Sequence, residues 1–200
     1  MSEPITDGRR AKGERRKQEL IEATLRVVAR EGVAGVSHRT VAREADMPAT
    51  AAAYYFQGID DLLTAALTRS MDDDAERMRL LAADADGGAD GLRALAERMA
   101  EVVVAEPGAL LAEYELYLLA AREPRLRPAT HRWMDAVADF ARRYTDDAVR
   151  IQILVGVVDG MLLQGLLHDR PPSADDFEAV LRTVLVEPAR TPGSAKADAL

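Results

Sequence analysis

The 200-residue chain has no cysteine, which excludes disulfides, thiolate chemistry and cysteine-containing zinc sites. Aromatic residues make up only 4% of it, against 48% apolar residues in all. That balance, led by Ala and Leu, favours helices over a sandwich or barrel. No segment alternates apolar and polar residues in the manner of a half-buried strand. The first 18 residues, MSEPITDGRRAKGERRKQ, lack an apolar run and do not read as a secretory signal, so a cytoplasmic location is the expectation. Catalytic motifs are missing as well. His38, His131 and His168 are scattered without metal-ligand spacing, and no Gly-rich phosphate loop, GxGxxG or GxSxG elbow occurs. The expectation is a protein that is not an enzyme and needs no metal or cofactor.

The net charge of −8 speaks against a nucleic-acid partner until its distribution is considered. Residues 1–43 carry ten Lys or Arg against six Asp or Glu, whereas residues 44–200 carry 16 against 28. A basic end facing phosphates and an acidic body facing away produce such an asymmetry. A solvated basic tail holding Arg9, Arg10, Lys12, Arg15, Arg16 and Lys17 is the alternative.

Helical periodicity and Gly/Pro punctuation divide the chain into about nine helices. Leu20, Ile21, Thr24, Val27 and Val28 form one stripe of a first helix over about 14–31, which Gly32 ends in a left-handed conformation. Ser37 is a good N-cap for a second helix through Ala45. Asp46 and Met47 turn the chain, and Pro48 suits the first position of a third helix that ends near Tyr54 or Tyr55. A fourth helix follows Gly58, with Asp60 and Asp61 in its first turn, and reaches about Leu81. The segment DADGGADG, 84–91, is the clearest break. Further helices are expected at about 92–105, 109–122, 128–144, 147–168 and 174–186. Residues 1–11 and 189–200 read as disordered tails.

Two short helices with a tight turn over 37–56 describe a helix-turn-helix, whose second helix enters the DNA major groove. Ala49, Thr50, Ala51, Ala52 and Ala53 keep that second helix slim enough for close approach to base edges. Thr50 offers a hydrogen bond, and the Tyr54 and Tyr55 hydroxyls reach toward phosphate oxygens. His38, Arg39 and Thr40, in the first turn of the preceding helix, complete the expected DNA contacts. A short Ala-rich helix buried in a bundle, with both tyrosines packing, is the competing reading of the same residues.

The order EGVAGVSHRTVAREADMPATAAAYYFQGIDDLL, 31–63, resembles the amino-terminal domain of TetR-family transcriptional regulators of the AcrR/TetR type. Val41-Ala42, Ala45, Tyr54, Phe56 and Leu62 fall at the positions of that pattern, and the likeness is specific over about 12–72. It implies an all-α protein with a three-helix DNA-binding domain over 12–72 and a larger helical ligand-sensing and dimerisation domain over 73–188. The chain departs from the pattern in four places. Asp46 stands where Gly is usual at the turn, and Asp tolerates the left-handed conformation. Ile59 replaces a common phosphate-contacting Lys, and Ala51 and Ala53 replace a common Thr and Tyr.

In the body, IQILVGVVDGMLLQGLL, 151–167, is apolar nearly all round and reads as a buried helix. Gln152, Asp159 and Gln164 argue against a membrane span. Gly156 and Gly160 share one face, and with Phe177, Val180, Leu181, Val184 and Leu185 of the last helix they suggest a helix-pair interface. The resemblance implies that the last two helices form a four-helix bundle across a two-fold axis. Leu154, Gly156, Gly160, Leu163, Phe177, Leu181 and Val184 are then the expected homodimer contacts, with one monomer's own core as the alternative. Tyr114, Tyr117, Trp133, Met134 and Phe140 are candidates to line an effector pocket, with Glu113, Arg122, His131 or Asp159 as polar partners, and a packed core with surface charges is the alternative. An acid in so apolar a helix needs a partner, and Arg122 is a candidate for Asp159. The reading is a homodimeric, effector-responsive repressor of a palindromic double-stranded operator. A helical scaffold that binds another protein is the alternative.

Overall fold

Helix α1 (Ile5–Glu31) buries Leu20, Ala23, Thr24, Val27 and Val28 along one stripe. Thr24 remains satisfied there, because its hydroxyl donates to the Leu20 carbonyl at 2.8 Å. The computed structural model describes residues 5–84 and 89–186. The expected amino-terminal tail is therefore corrected in part: the chain is already helical at Ile5, well before residue 14. No proline lies between Pro4 and the apolar stripe, so helix initiated at the stripe propagates backward through Arg, Lys and Ala. Residues 1–4 and the expected tail over 189–200 lie outside the described residues, as do residues 85–88 of the break expected at 84–91.

Gly32 ends α1 with φ 72° and ψ 174°, a region that is essentially glycine's alone. The chain then makes a 3-10 turn over Val33–Gly35 and enters α2 (His38–Glu44) through a capping box. Ser37 Oγ accepts from the Thr40 amide at 3.0 Å, and Thr40 Oγ1 accepts from the Ser37 amide at 2.8 Å. Asp46 takes φ 52° at the turn, the left-handed conformation expected of it. The third helix, α3 (Thr50–Tyr55), begins two residues later than Pro48, whose carbonyl accepts from the Ala51 amide at 2.8 Å. Val41, Ala42, Ala52 and Phe56 close the small core of this head against α1, and Arg26 and Arg30 of α1 both hold Glu44 at the end of α2.

Helix α4 (Ile59–Asp84) spans both parts of the molecule. Leu62, Leu63, Ala66 and Leu67 finish the head's core, and Met71, Ala75 and Met78 continue the same face into the body. Each such Leu contributes about 1.5–3 kcal/mol by leaving water. The body adds α5 (Ala89–Ala105), α6 (Pro107–Arg122), α7 (Arg127–Ala141), α8 (Ala148–Gly165) and α9 (Ala174–Leu185). The described residues thus form nine α-helices and no strand, the expected all-α class. Along α4 lies α7, tied to it by Arg132–Asp72 at 2.5 Å, while Arg125, just before α7, reaches Asp60 at 2.7 Å. Helix α7 stops at Ala141 rather than near 144. The amides of Arg143 and Tyr144 reach back only three residues, to the Phe140 and Ala141 carbonyls, so the last turn tightens and ends the helix.

The expected dimer contacts Leu154, Phe177 and Leu181 need correction. All three are fully buried in the subunit's own core, facing inward from α8 and α9, and present nothing to a second copy. Gly156 and Gly160 do face outward, with open space where a Cβ would stand. Leu163 is exposed and Val184 half-buried.

At Gly32, Ala would be strained by the positive φ and would set its Cβ 3.2 Å from Glu115 Oε2. Gly32→Ala is expected to lower unfolding stability by about 1–3 kcal/mol, read by urea denaturation. An unchanged midpoint would show that the loop relaxes at no cost.

Candidate nucleic-acid interface and sensor cavity

The head presents α3 to solvent as a slim rod. Ala49, Thr50 and Ala53 are exposed, Ala51 is half-buried, and only Ala52 is fully inside. Tyr54 is 82% exposed, an extreme value for an aromatic residue in a folded monomer. Tyr55 turns back to pack on the head's core and meets Tyr54 edge-on, with centroids 4.9 Å apart. The structure thereby brings Ala49, Thr50, Ala51, Ala53 and Tyr54 onto one accessible surface, with Arg39 exposed on α2. Ile59 is half-buried against the head's core, so the position where the family pattern commonly has Lys supplies packing here.

Thr40 is a correction. Its hydroxyl accepts from the Ser37 amide and donates to the Gly35 carbonyl at 2.8 Å, so it caps α2 and is not free to meet phosphate. The Ser-x-x-Thr spacing carried that signal. His38 is half-buried, and its Nε2 is enclosed without a hydrogen-bond partner. Arg16, of the basic end expected to face phosphates, lines the same groove as Thr50, Ala51, Ala53 and Tyr54. Lys17 lies over the Phe56 ring, 5.9 Å from its centroid. The fold thus brings Arg16 of α1 beside the reading helix.

In the body, α6, α7 and α8 converge on Asp159. Trp133 donates its indole N–H to Asp159 Oδ1 at 3.1 Å, and the Tyr117 hydroxyl lies 3.5 Å from Oδ2. Tyr114 donates to the Asp159 backbone carbonyl at 2.8 Å. The partners expected for the acid's helix thus turn out to be aromatic donors. Arg122 is the correction: it is exposed and lines a separate surface groove with Val33, Glu115 and Leu118. His131 is also exposed. Met134 lines an outer groove together with Tyr117 and Asp159. Burial raises the Asp159 pKa, and the bonds from Trp133 and Tyr117 oppose that rise. Tyr117 is itself pushed up to about 12, first by burial and then by the Asp159 charge.

A cavity of about 60 Å³ lies on the other side of Trp133, walled by Met78, Leu95, Met99, Leu110 and Val158. Glu113 of α6 lines it beside Asp74, Arg77 and Arg98. Burial first, and repulsion by Asp74 second, push the Glu113 carboxyl well above the usual carboxylate range. Helices α4 and α6 both run from the cavity to the head, and α6 ends its reach on a hydrogen bond. Two residues beyond Glu113, Glu115 points the opposite way and accepts from the Val33 amide at 2.8 Å, in the turn between α1 and α2.

A slim exposed helix on a three-helix head, joined by α4 and α6 to a helical body with a lined cavity, defines a one-component DNA-binding regulator. A family profile described as bacterial regulatory proteins, tetR family, matches residues 20–66, and the tetracyclin repressor-like C-terminal domain profile matches 84–187. The chain belongs to the TetR family of transcriptional regulators. The nicotine-responsive transcriptional repressor HdnoR of Paenarthrobacter nicotinovorans is 33% identical over 113 residues, covering 54% of this chain and 56% of that protein, so the match spans about half of HdnoR's length. Among solved structures, the multidrug binding protein EbrR complexed with imidazole is 39% identical, with TM-score 0.71, covering 88% of this chain and 92% of its own. A TetR-family member from Streptomyces coelicolor A3 is 37% identical, with TM-score 0.73, covering 85% and 98%. EbrR has also been seen complexed with ethidium and with malachite green.

Two outcomes follow from the side-chain positions. Tyr54→Ala should weaken DNA binding in a gel shift while leaving the melting temperature unchanged, because the ring is already in water. Thr40→Ala should instead cost about 1 kcal/mol of stability through the lost cap; the reverse pattern would reassign both residues. Glu113 gives a pH signature. Its folded pKa is raised, so its neutral form is stabilised by folding. That contribution is complete below about 4.3, the free glutamate value, and is lost as pH rises through the folded value. Glu113→Gln should therefore flatten the decline in stability above pH ~4.3, read by urea denaturation at a series of pH values. Parallel curves for the two proteins would contradict it.

Proposed function

We propose that the protein is a homodimeric repressor that holds a palindromic operator and releases it when a small molecule enters the body. The observation that carries this reading is the double role of α6. Glu113 and Tyr114 face the cavity and the Asp159 node, while Glu115 grips the Val33 amide beneath the DNA-reading head. An occupant that displaces α6 changes the head's orientation through a fixed hydrogen bond, and its differential fit to the two arrangements sets the size of the response. Ligand complexes of EbrR support a small-molecule occupant, and the repressor HdnoR supports repression. Residues 12–72 then act as the reading head and 73–188 as the sensing and dimerisation body, in keeping with profile matches over 20–66 and 84–187. Such a regulator works in the cytoplasm, where the chromosome is.

Dimerisation is supported by the outward face of α8. Val149, Ile153, Gly156, Gly160 and Leu163, with Leu167 just beyond the helix end, recur at alternating steps of four and three residues, and the four large ones are all exposed. Helix α8 is long and apolar enough to cross a membrane, by length and composition, but its other face carries Leu154, Val158 and the hydrogen-bonded Asp159 into the protein core. An apolar stripe on one side of a packed helix fits a second copy, with the two glycines allowing close approach. The dimer sets two α3 helices about one DNA turn (~34 Å) apart on the palindrome.

Leu163→Glu tests this arrangement. It should convert the dimer to a monomer in light-scattering chromatography and abolish the gel shift on DNA from the promoter of its own gene. A monomeric wild type, or binding that is indifferent to DNA sequence, would defeat the proposal in favour of a protein-binding scaffold.

A further inference from the structure

Two ion pairs of the same kind tie α4 to α7 and the turn before it. Arg132 of α7 meets Asp72 in the body at 2.5 Å, and Arg125, just before α7, meets Asp60 in the first turn of α4 at 2.7 Å. Asp72 lies further along α4 than Asp60 by about 18 Å, at the helical rise per residue. Asp60 therefore belongs to the head. Only Phe56, Gln57 and Gly58 separate α3 from α4, which places Asp60 at most about 18 Å from Tyr55 by chain length. Its neighbour Asp61 accepts from the Gln57 amide at 3.1 Å, whereas the exposed Asp60 carboxylate meets Arg125. Arg125 itself is held from the body side. It follows Pro124 in the 3-10 turn after α6, the adjoining Leu126 is buried, and Arg127 donates to the Ala120 and Ala121 carbonyls of α6 at 3.3 and 3.2 Å.

We propose that Arg125 is a positioning residue for DNA binding, a cation supplied by the body that cancels the Asp60 charge at the edge of the DNA-reading head. The proposal rests on α3 as the helix that enters the groove. A helix seated in the major groove has phosphates on either side, one charge for about every 1.7 Å of duplex axis. A bare carboxylate close to the end of that helix adds a repulsion that the head must overcome. With the guanidinium at hydrogen-bond distance the two charges form a dipole, whose field falls off faster than that of a single charge. The pair does little for folding, because both partners are largely in water. Its effect is felt when a polyanion approaches. The Arg132–Asp72 pair has the same chemistry and lies too far along α4 to act in this way. The body thereby contributes to the charge of the head.

The test titrates full-length wild type and variants against fluorescently labelled DNA from the promoter of its own gene, by anisotropy at ~50 and ~200 mM salt. Arg125→Ala should weaken binding by about fivefold at the lower salt and by less at the higher, because screening shortens the reach of the uncovered Asp60 charge. Arg125→Lys, which keeps the charge, should bind like the wild type. Adding Asp60→Asn to Arg125→Ala should restore affinity to within about twofold of wild type, since the bare charge is gone although the ion pair stays broken. Arg132→Ala should leave binding unchanged. Unchanged affinity in Arg125→Ala, or an equal loss in Arg132→Ala, would overturn the proposal. So would a loss that Asp60→Asn fails to recover, because the pair would then act as a mechanical tie between head and body. Each of these three outcomes leaves DNA reading by α3 intact. A wild type that binds no duplex DNA at either salt would remove the proposal and the repressor reading together.

Discussion

The packing of α6 between two neighbours governs how the rest of the molecule works. On one side Gly108 packs beside Ala29 of α1, and Glu115 closes on Val33. On the other side Leu110, Glu113 and Tyr114 form part of the cavity wall and the Asp159 node. Neither side can move alone. Packed interiors resist continuous deformation, so a shift of α6 is resolved as a change of arrangement rather than a local dent. Helix α4 adds a second rigid connection, because its buried face runs without a break from Leu62 to Met78.

The helices were legible because the chain is punctuated where each must stop. Gly32, Pro107, Pro124 and Pro128 lie within a residue or two of observed boundaries, and Ser37 and Ser173 both open helices through capping boxes. The left-handed Asp46 was legible for the same local reason. Boundaries were missed where no local signal exists. Nothing in residues 5–13 forbids helix, and nothing near Tyr144 announces a tightening turn.

Side-chain roles were harder, and the failures have a common cause. Periodicity identifies an apolar face without saying what covers it. Leu154, Phe177 and Leu181 lie on faces that pack inside the subunit, whereas Ile153 and Leu163, one step around α8, point outward. A helix that is apolar all round hides this choice completely. Asp159 was recognisable as an acid needing a partner, but which of Arg122, Trp133 or Tyr117 would serve depends on how α6, α7 and α8 meet. Arg16 illustrates the converse case. Its proximity to Thr50 and Tyr54 exists only once α1 lies beside α3.

The outward stripe of α8 has a consequence for how much of this protein a cell must hold. If that surface is closed by a second copy, folding and association are parts of one equilibrium, and the stability of the molecule rises with its own concentration. At very low copy number such a regulator is a poorer substrate for its operator and a better one for proteases. Mass action then sets a floor on expression, below which control lapses whether or not any effector is present.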